Sequence, residues 1–358
     1  IIGIIADKWI SAEKLMGICH VILAGLLYSL ANVTDFTSFY PLVFLVSMFY
    51  MPTIALNRSI SFALIENNGL DIVKVFPPIR VWGTVGFILA AWSVDFLEFG
   101  ITPNQFYISA GASLLLGLYS FTLPKVGMQK NENKKTLAQA MGLDAFSLFK
   151  SKKIAIFLLF SMFLGCVLQI SNMWGDTFLR DFEANYSGSF AVEHSLVFLS
   201  FSMISEALFI LSIPYFLRKF GIKKVMLMSM VAWVLRFAFF GIGDPGSGFI
   251  FLTLSMIIYG MAFDFFNISG SMFMAKESSP SIRSSAQGLF MLMTNGLGAI
   301  IGAYGSGYIV DYYTGTSGIK DWSTIWFVFA GYALVVTIAF AFVFKYKHNP
   351  NEELDVKH

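Results

Sequence analysis

The stretch GFIFLTLSMIIYGMAFDFFNISGSMFM, residues 248–274, decides the fold class of this chain. Asp264 is its single charged side chain. A helix of about 20 apolar residues crosses the roughly 30 Å hydrocarbon core of a bilayer. Backbone amides inside lipid must find hydrogen bonds within their own segment, and a helix provides them. The stretch therefore predicts a transmembrane helix with one carboxylate near its middle.

Nine other stretches share this length and apolar character. Over the 358 residues, hydrophobic side chains make up 56% and charged side chains only 13%, whereas a soluble domain has about 25% charged residues. Composition and pattern together predict an all-α polytopic membrane protein. The ten predicted spans cover 14–33, 39–63, 79–98, 104–123, 153–174, 195–217, 224–242, 248–274, 286–310 and 323–345.

The loops between these spans differ sharply in positive charge. Of the 24 Lys and Arg residues, 20 fall in one alternating set of loops, Arg180 and Lys320 fall in the other set, and Arg58 and Arg236 lie within spans. Cytoplasmic loops of membrane proteins carry such an excess. The linker after the fourth span and the C-terminus are therefore predicted to be cytoplasmic. The formal net charge of +2 gives no reason to expect a nucleic-acid partner.

The spans fall into two groups. An N-terminal helical half (1–123) is followed by a polar linker (124–152) with an amphipathic segment near its end, a six-helix half (153–345) and a tail (346–358). The chain opens without Met inside an apolar run, which predicts that the first helix and most of the second are absent. A basic loop at 218–224 resembles the opening segment at 3–8, as expected of a repeat. Two six-helix halves joined by a cytoplasmic linker are typical of the major facilitator superfamily.

Two carboxylates lie deep within predicted spans. An ionisable side chain at the bilayer centre costs about 2.5–3.5 kcal/mol even on the lenient insertion scale, so such residues are functional candidates. Glu206 is near the middle of 195–217, and Asp264 is near the middle of 248–274. Asp264, Asn267 and Ser271 follow a helical spacing that places them in one polar stripe.

Other polar side chains occupy helical faces of the spans. Gln169 and Asn172 share a face, and their amides can both donate and accept hydrogen bonds. The alternative is that they join helices. Arg80 shares a face with Thr84 and Phe87, although it could instead be an interfacial anchor that snorkels to the headgroups. Glu206 could form a buried pair with an arginine, and structural roles are expected for Arg58 and Arg236.

The sequence shows no pattern typical of a metal or cofactor site. Cys19 and Cys166 lie in apolar stretches, and the four histidines are scattered, so we expect neither a metal nor a cofactor. Glycines of the 286–310 span favour close helix packing, namely Gly296, Gly298, Gly302, Gly305 and Gly307.

Several segments carry a family resemblance. They are Phe76-Pro77-Pro78-Ile79-Arg80-Val81-Trp82-Gly83-Thr84, the runs 171–175, 231–237 and 262–270, the loop 282–288, and the end 344–348. Together they resemble the nucleoside:proton symporter family of the major facilitator superfamily. The resemblance extends from residue 3 to residue 348.

The resemblance implies a monomeric nucleoside importer of the bacterial inner membrane, driven by a proton and working by alternating access between its halves. A nucleoside such as uridine would bind in a cavity between the halves. Asp264 or Glu206 would carry the proton, and Met203 departs from a family glutamine, which puts base selectivity in question. The implied substrate-binding positions are Arg80, Thr84, Phe87, Gln169, Asn172, Glu206, Tyr259, Phe263 and Asp264.

Two alternatives remain open from the sequence. The first is a proton symporter for a sugar or oligosaccharide on the same scaffold. The second is an intramembrane enzyme, which is disfavoured because the sequence contains neither a paired histidine site nor a nucleophile elbow. We therefore expect a transporter and not an enzyme.

Overall fold

A computed structural model describes residues 10–70, 72–125, 143–278, 283–315 and 318–346. The residues it describes form helices, turns and loops, with no β-strand among them. The chain divides into two compact units, Ile1–Met141 and Gly142–His358. The division falls within the predicted linker, and each unit is described by itself.

The first unit contains four helices in its described part. They are α1 (Ala12–Leu30), α2 (Phe36–Asn67), α3 (Ile72–Phe96) and α4 (Asn104–Ser120). Helices α1 and α4 are joined by a buried pair, because His20 Nδ1 lies 3.1 Å from Ser113 Oγ. The same hydroxyl donates to the carbonyl oxygen of His20.

The second unit begins with a 3-10 helix, Leu143–Lys150, at the predicted amphipathic segment. Helix α5 (Lys152–Arg180) follows, and then α6 (Ser195–Ile242), which is interrupted at Gly221. Gly221 has a φ of 75°, a left-handed conformation that favours glycine. It divides α6 into two arms, α6a (195–220) and α6b (222–242). Two one-turn helices, Glu183–Tyr186 and Phe190–Glu193, lie between α5 and α6. The longer helices that follow α6 are α7 (Phe249–Glu277), α8 (Arg283–Met291), α9 (Ala299–Tyr312) and α10 (Trp322–Val343), with a π-helical turn, Leu292–Gly298, between α8 and α9.

Each predicted span coincides with a helix. In the described residues, seven helical segments are long and apolar enough to cross a membrane, and α6 counts once among them although it covers two predicted spans. The other two predicted spans fall on α3, whose apolar part is the shorter segment Val81–Phe96, and on α4, which has 17 residues. The helical, multi-pass character is therefore confirmed, and the number of spans stays a prediction.

Glycines allow α5 to approach the π-helical turn and α9 closely. A Cβ atom on Gly165 of α5 would overlap the carbonyl group of Thr294. A Cβ on Gly298 would lie 2.5 Å from the Met162 carbonyl oxygen, and one on Gly302 would lie 2.7 Å from Cys166 Cα. The prediction of close packing is confirmed for Gly298 and Gly302. It is wrong for Gly305 and Gly307, where a Cβ meets nothing described within 4 Å, and a Cβ on Gly296 meets only the side chain of Leu292 in its own segment.

The core of the second unit is aromatic. Its largest fully buried side chains include Phe157, Phe178, Phe237, Trp233 and Trp326. The Trp326 ring lies 4.7 Å from Phe240 and 5.5 Å from Phe237, measured between ring centroids. Large rings of this kind bury much surface and have few rotamers. They hold the helices of the second unit together.

Candidate functional site

A cavity of about 320 Å³ lies within the second unit, between α5, α7 and the π-helical turn. This volume is within the range of small-molecule sites, about 300–1,000 Å³. Its lining combines apolar and polar groups, and the side chains that could recognise a ligand are Gln169, Asn172, Tyr259, Phe263, Thr294 and Asn295. Four of these, Gln169, Asn172, Tyr259 and Phe263, are predicted site residues, and the structure brings them together around one cavity.

Three carboxamides surround this cavity. Gln169 and Asn172 project from α5, and Asn295 projects from the π-helical turn. In the described part of the chain, none of the three carries a side-chain hydrogen bond to another residue, so their donors and acceptors are available to a ligand. Hydrogen bonding between helices, the alternative for Gln169 and Asn172, therefore has no support among the described contacts.

Two stacked rings form the aromatic wall of the cavity. Tyr259 and Phe263 lie one turn apart on α7, with ring centroids 5.8 Å apart and ring planes inclined by 8°. Trp233 packs edge-on against Tyr259 at 5.8 Å. Tyr259 is only 4% exposed and Phe263 is partly buried, so the wall offers the cavity an apolar aromatic surface that a planar ligand group can contact.

The two predicted carboxylates, Glu206 and Asp264, are buried and are not among the residues that line this cavity. Asp264 is 3% exposed and Glu206 is 9% exposed. Both are close enough to the Tyr259 phenol to interact with it electrostatically. Gly260 permits this arrangement, because a Cβ there would lie 2.5 Å from the Ser205 carbonyl oxygen, so α6a and α7 approach closely at that level. The predicted deep positions of Glu206 and Asp264 are consistent with their burial.

The predicted residues of the first unit share helix α3. Thr84 is partly buried within its unit and Phe87 is 56% exposed. The side chain of Arg80 lies outside the described part of the structure. The helical spacing of the three positions is confirmed, and their role in binding stays a prediction.

Sequence reasoning missed Asn295. Residues 292–298 read as a glycine-rich packing segment, LMTNGLG, whereas they form a π-helical turn that presents an amide to the cavity. Single π-helical turns inside α-helices are frequent at functional sites. The criterion that found Gln169, a carboxamide inside an apolar span, applies equally to Asn295 and would have found it.

Comparison with known proteins identifies the chain's relatives. A family described as "Nucleoside H+ symporter" matches residues 1–349. The chain belongs to this family. Among its relatives, xanthosine permease of Escherichia coli (strain K12) is 53% identical over 361 residues, which cover 100% of this chain and 85% of that protein. Nucleoside permease NupG of the same organism is 50% identical over 97% of this chain and 84% of the permease.

Solved structures agree with this membership in the symporter family. The crystal structure of nucleoside transporter NupG matches with a TM-score of 0.88 at 50% identity, over 97% of this chain and 86% of that one. A bacterial homologue of the human lysosomal transporter Spinster matches with a TM-score of 0.62 at 14% identity, over 96% and 85%. The second likeness concerns the fold alone, which is of the major facilitator type.

Membership in the nucleoside H+ symporter family decides between the alternatives. Its members are transporters, so the chain is a multi-pass membrane transporter and not an enzyme. The sugar alternative is weaker, because the maltose permease of Geobacillus stearothermophilus is only 24% identical over 81% of this chain.

Proposed function

We propose that this symporter imports nucleosides together with protons, and that the cavity of the second unit binds the nucleoside. The observation that carries the proposal is the pairing of three available carboxamides with a stacked aromatic wall in one cavity. Two relatives are named nucleoside permease and xanthosine permease, which supports nucleosides as the substrate class of this chain.

The cavity matches the chemistry of a nucleoside. A planar base can stack on the Tyr259–Phe263 wall, where a ring contact contributes about 0.5–1.5 kcal/mol beyond buried area. Base edges and ribose hydroxyls both donate and accept hydrogen bonds, as do the amides of Gln169, Asn172 and Asn295. A neutral, polar, planar solute therefore fits better than an ion.

The two buried carboxylates are the proposed proton carriers. Burial in a low-dielectric environment favours the neutral form of a carboxyl group, so a change of access to water can load or release a proton. Asp264 directly follows Phe263 of the wall, and Glu206 lies on the closely packed α6a. These positions support a role for either carboxylate in coupling its proton to the occupancy of the cavity.

Several finer features belong to the same proposal. Arg80, Thr84 and Phe87 are proposed to contribute binding contacts from the first unit, and Glu206 and Asp264 to contribute to binding as well as coupling. The protein is proposed to be a monomer in the bacterial inner membrane, with the linker and C-terminus in the cytoplasm. The cationic loops support this orientation.

Competition for uptake tests the substrate class. Proteoliposomes containing the purified protein should take up labelled uridine under an inward proton gradient. We expect excess unlabelled uridine or xanthosine to reduce this uptake, and excess maltose to leave it unchanged. Strong competition by maltose with none by nucleosides would favour the sugar alternative instead.

Asn295→Ala should raise the uridine concentration that gives half-maximal uptake by about tenfold. The loss of one hydrogen bond to a ligand in a desolvated site costs about 1–1.5 kcal/mol. Uptake kinetics at constant protein content measure the change. Leu297→Ala is the control, because Leu297 lies on the same π-helical turn and is exposed without lining the cavity. Equal kinetics for Asn295→Ala and the wild type would remove Asn295 from the site.

A further inference from the structure

Arg236 is a buried cation in a helix that the sequence predicts to cross the membrane. It lies on α6b and is only 3% exposed. Its Nε donates to Ser171 Oγ at 3.1 Å, and its Nη1 donates to the Ser255 carbonyl oxygen at 2.6 Å and to Ser202 Oγ at 3.4 Å. These partners belong to α5, α7 and α6a, so one guanidinium joins three other segments.

The guanidinium also lies within cation–π distance of two aromatic rings. Its Cζ is 4.5 Å from the centroid of Tyr259 and 4.9 Å from that of Phe240. Of these two rings, Tyr259 forms the cavity wall. Cation–π contacts reach about 2 kcal/mol or more when both partners are desolvated. Arg236 therefore makes a strong contact with the Tyr259 ring, although it does not line the cavity itself.

The contacts of Arg236 differ from those of a residue that only pairs with an opposite charge. The hydrogen bonds go to two hydroxyls and a carbonyl oxygen, and the stacking contacts are with rings, so they depend on the planar, forked shape of the guanidinium. A buried charge of this kind seldom increases stability over an apolar side chain of similar size. Its geometry points to a role in fixing the position of its neighbours.

We propose that Arg236 is a positioning residue for substrate binding. The guanidinium fixes the Tyr259 ring, and through the stacked pair the Phe263 ring, in the orientation that forms the aromatic wall of the cavity. This inference rests on the proposed function, since the wall is taken to receive the nucleoside base. It assigns a binding role to a residue that has no contact with the cavity itself.

Arg236→Lys tests the role directly. Lysine keeps the positive charge but loses the planar fork and the stacking geometry. We expect the uridine concentration for half-maximal uptake to rise about tenfold, which corresponds to about 1.4 kcal/mol and so to the larger part of one desolvated cation–π contact. The maximal rate per folded molecule should change less than twofold, because the carboxylates are untouched. A merely structural role would lower the amount of folded protein and leave half-saturation unchanged.

Double-mutant cycles identify the ring through which Arg236 acts. In a Tyr259→Leu background, Arg236→Lys should add little further change in half-saturation, because the ring it positions is gone. In a Phe240→Leu background the effect of Arg236→Lys should persist, since Phe240 stacks on the guanidinium without lining the cavity. Full additivity with Tyr259→Leu would overturn the proposal.

Ser171→Ala is the second, milder variant in case Arg236→Lys does not fold. It removes the hydrogen bond to Nε and leaves the arginine in place. Half-saturation should rise about threefold, in line with the net contribution of one hydrogen bond. Wild-type uptake of uridine is measured first and tests the proposed function separately. If the wild type transports and the variants that fold all have its half-saturation, Arg236 has no positioning role.

Discussion

Asp264→Asn is expected to abolish the accumulation of nucleoside against its gradient while leaving nucleoside exchange active. Asparagine has the same shape as aspartate but cannot carry a proton, so uptake loses its driving force. One pH unit across the membrane supplies about 1.4 kcal/mol per proton, which corresponds to about tenfold accumulation. In the variant, the internal uridine concentration should only equal the external one, which is onefold accumulation. The cavity amides and the aromatic wall are unchanged, so exchange of labelled for unlabelled uridine should continue at uridine concentrations high enough to offset the loss of any binding contact from Asp264.

Two further variants complete this experiment. Glu206→Gln shows whether the second buried carboxylate shares the coupling role, and it should retain accumulation if Asp264 alone carries the proton. Asp311→Asn is the matched control, because Asp311 is exposed on α9 and should behave like the wild type. The coupling role of both carboxylates would be wrong if Asp264→Asn and Glu206→Gln each accumulated uridine normally.

Gly165→Ala should destabilise the second unit by about 3 kcal/mol, the upper end of the range for overpacking. The added methyl group would overlap the carbonyl group of Thr294, and backbone cannot move aside as a flexible side chain can. Gly165 also lines the cavity, so displacing the π-helical turn would move Asn295 as well. A lower melting temperature and a loss of uridine uptake should therefore appear together.

Two alanine substitutions on α9 serve as a matched pair for this prediction. Gly302→Ala should also be destabilising, because its Cβ would lie 2.7 Å from Cys166 Cα. Gly305→Ala, three residues later, meets nothing described within 4 Å and should leave the melting temperature unchanged or slightly higher, since alanine favours helix over glycine. Equal melting temperatures for Gly302→Ala and Gly305→Ala would contradict the packing described for α5 and α9.

The helices could be predicted well from the sequence, because each long apolar run indicates a helix and the charged loops indicate where it ends. The points at which the helices are broken or change their winding were predicted less well. The two spans 195–217 and 224–242 form one helix that is broken only at Gly221, where a left-handed conformation replaces a loop. The π-helical turn at Leu292–Gly298 was not predicted. A wider turn of this kind leaves the apolar pattern of the span almost unchanged, so the sequence gives no sign of it.

The site was predicted in part. Gln169 and Asn172 stand out because carboxamides are expensive inside an apolar span, whereas Tyr259 and Phe263 are common residue types and came only from the family resemblance. Asn295 meets the same criterion but was interpreted as part of a glycine-rich packing segment, and only the π-helical turn shows that its amide reaches the cavity. Arg236 was expected to have a structural role. Its buried contacts with Tyr259 and Phe240 depend on neighbouring segments that a single sequence does not show.

Proton movement caused by the substrate itself tests the central claim most directly. The purified protein is reconstituted into proteoliposomes with a pH-sensitive dye inside and no imposed pH gradient, and uridine is added outside. Proton-coupled nucleoside import predicts that the interior becomes acidic after uridine is added and stays unchanged after maltose is added. Entry of labelled uridine without any acidification would contradict the claim.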